Sequence, residues 1–320
     1  MVAIVETLLL TLLDLLHVLK LIILDPIFAL VRFLSLNDSK LKKYYNNKTV
    51  VITGASSGIG AALSKKIAKL GANIILIARN IDKLNDVANE CRLLNPKNKY
   101  IVVTMDMEKY QELTETTINK SIAPLLLENG LSSTIDIVIL NAGISSRGSV
   151  VDTEIKTFEK LMNTNFYGPV AFVKAVLPKM IKQTSESKAN SCNITVISSV
   201  QGKLGISLRS SYAASKFAIQ GFCESLRAEV ISKRINVLVV SPSYVNTRLS
   251  LNAVNGDGSN YGKMDETTAS GMDPMDLAAN VVDSIYLKEH DVVYANLKSM
   301  LAINLKVQFP DLLVKILKQK

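Results

Sequence analysis

Tyr212 and Lys216, in Ser211-Tyr212-Ala213-Ala214-Ser215-Lys216, are the residues of this 320-residue chain whose types and spacing best suit proton transfer. Positions four apart share a helix face, so a phenol and an ammonium would project side by side. A free tyrosine has a pKa of about 10, too high to exchange protons near neutrality. A neighbouring ammonium favours the phenolate, and a shift of ~3 units represents about 4 kcal/mol. The pair alone is common in amphipathic helices, so its surroundings decide. Ser199 closes an apolar run thirteen residues earlier, where its hydroxyl can donate to a carbonyl oxygen. Asn141-Ala142-Gly143 closes another run with residues small enough to let a cofactor pass close. Asn165, in Asn163-Thr164-Asn165-Phe166-Tyr167-Gly168, falls in a helical stretch where its amide could hold a relay water.

Those groups need a frame. Continuous β-branched runs at Val50 to Thr53, Asn73 to Ala78, Tyr100 to Thr104, Ile135 to Leu140, Ile194 to Ile197 and Ile235 to Val240 alternate with helix-length segments. Unbroken apolar runs are the mark of parallel strands buried on both faces. The expected fold class is α/β, a single doubly wound parallel sheet with helices on both faces. Ligands then bind outside the strands' carboxyl ends, where the strand order reverses. The polar stretch Thr184 to Asn193 reads as a surface loop.

The first run enters Gly54-Ala55-Ser56-Ser57-Gly58-Ile59-Gly60 and then a helix, Ala61 to Leu70. Gly54 permits the tight turn, Gly58 lets backbone approach a pyrophosphate, and Gly60 lets helix pack on strand. The helix start then offers unsatisfied N–H groups and positive dipole to phosphates. At the end of the second run an acid would bind the ribose of NAD, whereas arginine suits the 2′-phosphate of NADP. The chain reads Ile77-Ala78-Arg79-Asn80, with Arg79 a planar bidentate phosphate donor. The cofactor expected is NADP(H) rather than NAD(H), working in the direction of reduction.

Composition excludes several alternatives. Apolar residues make up 48% of the chain and charged ones 20%, so it is not a disordered protein. Cys91, Cys192 and Cys223 are too few and too scattered for a disulfide framework or a cysteine zinc site. His17 and His290 lie at opposite ends, which disfavours a histidine metal site and a Ser-His-Asp hydrolase; no metal is expected. A net charge of +9 suits an anionic partner such as a phosphorylated substrate, a dinucleotide or an anionic membrane. Basic residues do not interleave with aromatics in a patch, so nucleic acid is not an expected partner.

The ends differ from the middle. Residues 2–34 are dense in Leu, Ile, Val and Phe, with charges at Glu6, Asp14, Lys20, Asp25 and Arg32. No uncharged run reaches the ~18 residues of a simple spanning helix. With His17, these charges fall within an arc of about 140° at ~100° per residue, giving an apolar helix with one polar stripe, bent or broken near Pro26. A retained membrane anchor, a soluble helix covering the protein's own surface, and a cleaved targeting segment all fit the pattern. The anchor reading is adopted for residues 1–38. Lys40, Lys42, Lys43 and Lys48 would then hold the domain beyond them on the cytosolic side. Residues 296–320 are apolar and basic, readable as a membrane-surface helix, a wall of an apolar substrate pocket, or an ordinary amphipathic helix.

Together these motifs resemble the short-chain dehydrogenase/reductase family over roughly residues 46–295: Thr53-Gly54-x-x-x-Gly58-x-Gly60, Asn141-Ala142-Gly143, Asn165, Ser199, Tyr212-x-x-x-Lys216 and Ser241-Pro242-x-x-x-x-Thr247. Asn252-Ala253-x-x-x-Asp257-Gly258-Ser259-x-Tyr261-Gly262-x-Met264-Asp265-x-Thr267-Thr268-Ala269 and Gly143-Ile144-Ser145-x-Arg147-Gly148 are similar to its membrane-anchored member 7B type. The resemblance implies a Rossmann-like fold. It also implies a ketone reductase in which Tyr212 is the general acid, Ser199 polarises the substrate carbonyl, Lys216 holds the nicotinamide ribose and lowers the Tyr212 pKa, and Asn165 supports the relay. Ser56, Ser57 and Ile59 would contact cofactor in the turn, Asp106 the adenine side, and Thr247 the carboxamide. The subgroup resemblance implies a lipid-like substrate, in particular an acyl- or alkyl-dihydroxyacetone phosphate, an endoplasmic reticulum or peroxisome membrane, and a homodimer. A retinoid or steroid dehydrogenase and a non-catalytic membrane interaction protein are the competing functions. Ser243, where the family usually has Gly after Pro242, and Leu140, in place of a frequent Asn, are departures that remove no reacting group.

Overall fold

The computed structural model describes residues 36–187 and 191–318. The anchor expected over residues 1–38 lies outside these, apart from its last three positions. The chain forms two units, 1–44 and 45–320. Among described residues the first unit holds most of helix α1 (Asp38–Tyr45), begun by Asn37, whose side chain accepts from Lys40 N at 2.9 Å.

The second unit is built on a parallel sheet. Its strands are β1 (Thr49–Thr53), β2 (Asn73–Ala78), β3 (Tyr100–Thr104), β4 (Ile137–Leu140), β6 (Cys192–Ile197), β7 (Ile235–Pro242) and β9 (Asp291–Tyr294), in the order β3-β2-β1-β4-β6-β7-β9. All neighbours pair in parallel, in registers such as Val51 opposite Ile75 and Val138. A second pairing joins β5 (Ser146–Arg147) to β8 (Val254–Asn255), pinning the loop after β4 to the long excursion after β7.

Each connection along the sheet passes through helix. The helices are α2 (Gly58–Lys69), α3 (Ile81–Leu94), α4 (Glu115–Glu128), α5 (Ile155–Met162), α6 (Gly168–Glu186), α7 (Ser210–Val230), the short α8 (Glu266–Ala269), α9 (Pro274–Tyr286), α10 (Leu297–Gln308) and α11 (Pro310–Lys318). One core layer sets Phe172, Val173, Val176 and Met180 of α6 and Ile219, Cys223 and Leu226 of α7 against Val51, Val138, Ile194 and Val237. Burying unbroken aliphatic strands on both faces stabilises the sheet at roughly 25 cal/mol per Å² of apolar surface.

Several boundaries differ from the sequence reading, among them the starts of β1 at Thr49 and of β6 at Cys192 and the end of β7 at Pro242. Thr184, Ser185 and Glu186 continue α6 instead of opening a loop, because Thr184 is buried and bonds back to Ile181 O. Strand β4 starts at Ile137, and Asp136 just ahead of it joins β1 twice, its N–H donating to Thr49 O at 3.0 Å and its carboxylate accepting from Thr49 N at 2.8 Å. The edge strand β9 has no counterpart among the sequence runs; four half-exposed residues carry too little apolar signal. The basic C-terminal stretch is two helices, broken before Pro310, whose ring disfavours helical geometry at Phe309.

Candidate active site

The sheet order places β1 and β4 side by side with their crossovers leaving in opposite directions, and a cleft of ≈ 560 Å³ opens at their carboxyl ends. The two strand ends are laced together. Thr53 Oγ1 accepts from the backbone N–H groups of Asn141 and Ala142, both at 3.1 Å. The Asn141 amide donates to the carbonyls of Thr53 at 3.1 Å and Gly54 at 3.2 Å. This lacing holds the glycine turn open where the strand order reverses.

Within the turn, Gly54 (φ +65°) and Gly58 (φ +53°) take left-handed backbone. A Cβ at Gly60 would stand 2.2 Å from Gly54 O, so only glycine lets α2 start this close to β1. Ser57 is the N-cap of α2 and makes no side-chain capping bond, leaving first-turn N–H groups available to an anion. At the far end of β2 stand Arg79 and Lys83, with Asn80 capping α3 by accepting from Lys83 N. A cradle that a side chain would fill, free helix-start donors and two cations at the β2 end fit a dinucleotide.

Gly54, Ser56, Ser57, Gly58, Ile59, Arg79, Asp106, Asn141, Ala142, Gly143, Ser199, Tyr212, Lys216 and Thr247 all line the cleft. Gly60 and Asn165 do not. Gly60 lies beneath the turn. Asn165 is 2% exposed, in a π-turn (Asn163–Tyr167) between α5 and α6. Its amide donates to Ile144 O at 2.9 Å and Ser215 Oγ at 3.0 Å, and accepts from Ile144 N at 2.9 Å. The side chain expected to hold a water thus braces the strand-end loop against α7.

Tyr212 projects from the first turn of α7, its ring packed in a small apolar cluster with Leu161, Val254 and Ile144. Lys216, one turn on, donates through Nζ to Ile197 O at 3.0 Å and lies 5.8 Å from the Tyr212 ring centre. Ser199, at the end of β6, accepts from Gln201 N at 3.1 Å and lies close enough to Tyr212 to lower its phenol. Burial pushes the Tyr212 phenol above its usual range; the Ser199 hydroxyl and then the charges of Arg209 and Arg147 pull the other way without reversing it. The phenol therefore sits above its ordinary value, not below it. Desolvation brings Lys216 down to about 8.

Two features escaped the sequence. Gln220, eight residues after Tyr212 and so on the same helix face, donates to Ser241 Oγ at 2.9 Å and Ser198 Oγ at 3.3 Å, tying the ends of β6 and β7 together. Asp265 accepts from Arg147 and Arg209, from the Tyr261 hydroxyl at 3.0 Å and from Ser250 Oγ at 3.1 Å, fastening the excursion after β7 across the cleft. The Gln220 spacing was a readable signal; the Asp265 cluster spans more than a hundred residues of sequence and had none. Ser243 turns its hydroxyl towards Ser299, and Leu140 is a core residue, so neither departure obstructs the cleft.

Residues 48–257 match the family model described as short chain dehydrogenase. Dehydrogenase/reductase SDR family member 7B of Danio rerio is 40% identical over 273 residues, covering 85% of this chain and 84% of that one. Dehydrogenase/reductase SDR family protein 7-like of Drosophila melanogaster is 40% identical over 275 residues, covering 85% and 80%. Among solved structures, a short chain dehydrogenase/reductase from Burkholderia phymatum in complex with NAD superimposes with a TM-score of 0.70 at 19% identity, over 84% of this chain and 95% of that one. A short-chain dehydrogenase from Sphingobium yanoikuyae in complex with NADPH gives 0.61 at 23% identity, over 77% and 87%. At those identities the solved structures speak for the fold.

Proposed function

Because this chain belongs to the short-chain dehydrogenase family, we propose for it a defined oxidoreductase reaction: reduction of a ketone on a lipid-like substrate to a secondary alcohol, with NADPH, at a membrane. The carrying observation is that Tyr212, Ser199 and Lys216 share one wall of a cleft whose other end is the glycine turn and Arg79. When bound, NADPH supplies the hydride. Tyr212 donates its proton to the carbonyl oxygen as negative charge gathers there, and its raised pKa keeps it protonated for that task. Ser199 donates a hydrogen bond to the same oxygen, fixing its position at the end of β6. Lys216 sits where its ammonium can stabilise the phenolate left behind and bind a ribose hydroxyl. Asn165 keeps Ile144 and α7 in register and so positions Tyr212.

Arg79, Lys83 and the lack of an acid at the end of β2 favour the 2′-phosphate of NADP(H) over the free ribose of NAD(H). The resemblance of the Asn252 to Ala269 and Gly143 to Gly148 stretches to the member 7B type favours an acyl- or alkyl-dihydroxyacetone phosphate as the ketone. The apolar composition of residues 2–34 and the lysines at 40, 42, 43 and 48 favour membrane attachment with the catalytic unit facing the cytosol, at the endoplasmic reticulum or the peroxisome. A homodimer is compatible with this arrangement.

The test is oxidation of NADPH by the full chain over a panel of an acyl-dihydroxyacetone phosphate, retinoids and steroids. Tyr212→Phe should lower kcat by ~10² or more while NADPH still binds. Full activity in that variant refutes the assignment of the acid, and a retinoid or steroid outperforming every glycerone ester refutes the substrate. In carbonate fractionation the full chain should pellet and a chain begun near Lys40 should not.

A further inference from the structure

The positive charge of the cleft is not confined to the β2 end, where the 2′-phosphate of a dinucleotide would lie. The cleft lining includes Arg79, Lys83, Arg147, Arg209, Lys216 and Arg248, against a single carboxylate, Asp106. Arg79 and Lys83 belong to the β2 end, and Lys216 to the foot of β6. Of the three other arginines, Arg147 lies on β5 after β4, Arg209 after β6 just ahead of α7, and Arg248 after β7.

These arginines are not equivalent. Arg147 is spent: Nε and one Nη reach Asp265, that Nη also donates to Ser250 Oγ at 3.2 Å, and the other Nη donates to Ser145 Oγ and Ser146 O, both at 2.8 Å. Arg209 is held by one bond, from Nη2 to Asp265 Oδ2 at 3.1 Å, and its guanidinium makes no other hydrogen bond among the described residues. Asp265 is itself fully engaged, with Tyr261 on its second oxygen. One carboxylate between two guanidiniums leaves a net positive charge, and the donors carrying it are those of Arg209. That side chain is 14% exposed, so it is largely withdrawn from water yet open to the cleft. It immediately precedes α7, a helix of 21 residues whose first-turn N–H groups and positive end lie beside it. Arg248, by contrast, is exposed at the rim.

A planar fork with unused donors next to a helix start suits a tetrahedral dianion better than a neutral headgroup. We propose that Arg209 is a specificity residue that binds a phosphomonoester on the substrate, close to the ketone that Tyr212 protonates. This rests on the reading of the site as a ketone reductase. Arg147 and Asp265 hold the fork in place, so Asp265 orients Arg209 without cancelling it.

The experiment compares 1-palmitoyl-dihydroxyacetone phosphate, dihydroxyacetone phosphate, 1-palmitoyl-dihydroxyacetone and inorganic phosphate, by initial rates and by calorimetry on the NADP⁺-loaded full chain. The wild type should prefer each phosphate ester to its phosphate-free counterpart. In Arg209→Gln that preference should fall by roughly 10- to 100-fold, in KM rather than kcat, the scale of losing charge-assisted hydrogen bonds. Arg209→Lys, which keeps the charge and loses the fork, should fall in between, and it decides the matter where Arg209→Gln no longer binds NADPH. Equal binding of ester and phosphate-free counterpart by the wild type overturns the proposal. So does an unchanged preference in either variant, or inhibition by inorganic phosphate with no gain for the esters. Neutral ketones reduced through Tyr212 with no phosphate preference would sink this inference and leave the reductase reading standing. Arg209-dependent calorimetric binding of the esters without turnover would do the reverse.

Discussion

Lys216 allows the buried pair to be tested without any substrate. The residue is 5% exposed, and its ammonium donates to Ile197 O at 3.0 Å and pairs with no carboxylate among the described residues. Burial lowers its pKa from an ordinary 10.5 to about 8. Below about pH 8 the charge is present in both folded and unfolded chains, at a cost to the folded one. Between about 8 and 10.5 the native state sheds the proton while the unfolded chain keeps it, so the unfolded state binds more protons and stability rises with pH. The full gain is roughly 3 kcal/mol, of which about 1 kcal/mol arrives between about pH 7 and 9. The thiols of Cys91, Cys192 and Cys223 act oppositely: burial raises each to about 12, so the unfolded chain ionises first and stability falls above an ordinary value of 9.0. Lys216→Met removes the first effect and keeps the second, so the difference between the two proteins isolates the lysine. Urea unfolding at about pH 7, 8 and 9 should show the wild type gaining about 1 kcal/mol on the variant across the series. A difference that stays flat, or that shrinks as pH rises, would mean that the ammonium is not desolvated, and the reasoning fails.

The construction of the cleft sets further expectations. Gly60→Ala puts a methyl 2.2 Å from Gly54 O, and overpacking of about 1–3 kcal/mol should appear as weaker NADPH binding by roughly 10- to 100-fold in a fluorescence titration. Arg79→Ala should raise the KM for NADPH by roughly 10- to 100-fold with little change for NADH, and equal losses for both cofactors would remove Arg79 from the 2′-phosphate. Burial alone would raise the Asp265 carboxyl, but the hydrogen bonds and charges of Arg147 and Arg209 hold it down at about 2. Its stabilisation is therefore present above the ordinary 3.8 and lost as pH falls through about 2, so Asp265→Asn should melt lower than the wild type near neutrality and converge with it only below about pH 2.

How much of the fold and site is legible in the sequence depends on whether the signal is local. The runs that form β1, β2, β3, β6 and β7 can be read because strands buried on both faces must be apolar at every position. The turn can be read because its glycines answer to local sterics, Gly54 and Gly58 through positive φ and Gly60 through the carbonyl pressed against it. Asp291–Tyr294 cannot, since an edge strand is half-solvated and its short run looks like any surface segment. Asn165 falls in the expected element but makes different contacts. Its residue type does not say whether an amide faces a cleft or clasps a neighbouring backbone, and only the approach of Ile144 and Ser215 decides. Asp265 illustrates the limit most plainly, because its partners lie 56 and 118 residues away and nothing near it in sequence requires them.

The electrostatics of Tyr212 join the two halves of the site. In reduction the phenol must be protonated when the ketone arrives, so a value pushed up by burial suits the task, and what matters is how far neighbouring cations undo it. Ser199 is the largest opposing influence, and it becomes engaged when its hydroxyl turns to the carbonyl oxygen. Arg209 and Arg147 come next, acting through charge. A phosphate dianion on the Arg209 fork would neutralise that charge, and the phenol would rise further. Substrate binding would then itself keep the general acid loaded, and a neutral ketone would leave it less firmly protonated. The consequence is a kcat profile whose alkaline limb lies higher for a phosphorylated ketone than for its phosphate-free counterpart, with Arg209→Gln bringing the two limbs together. Limbs that coincide in the wild type would show that the guanidinium and the phenol are not coupled.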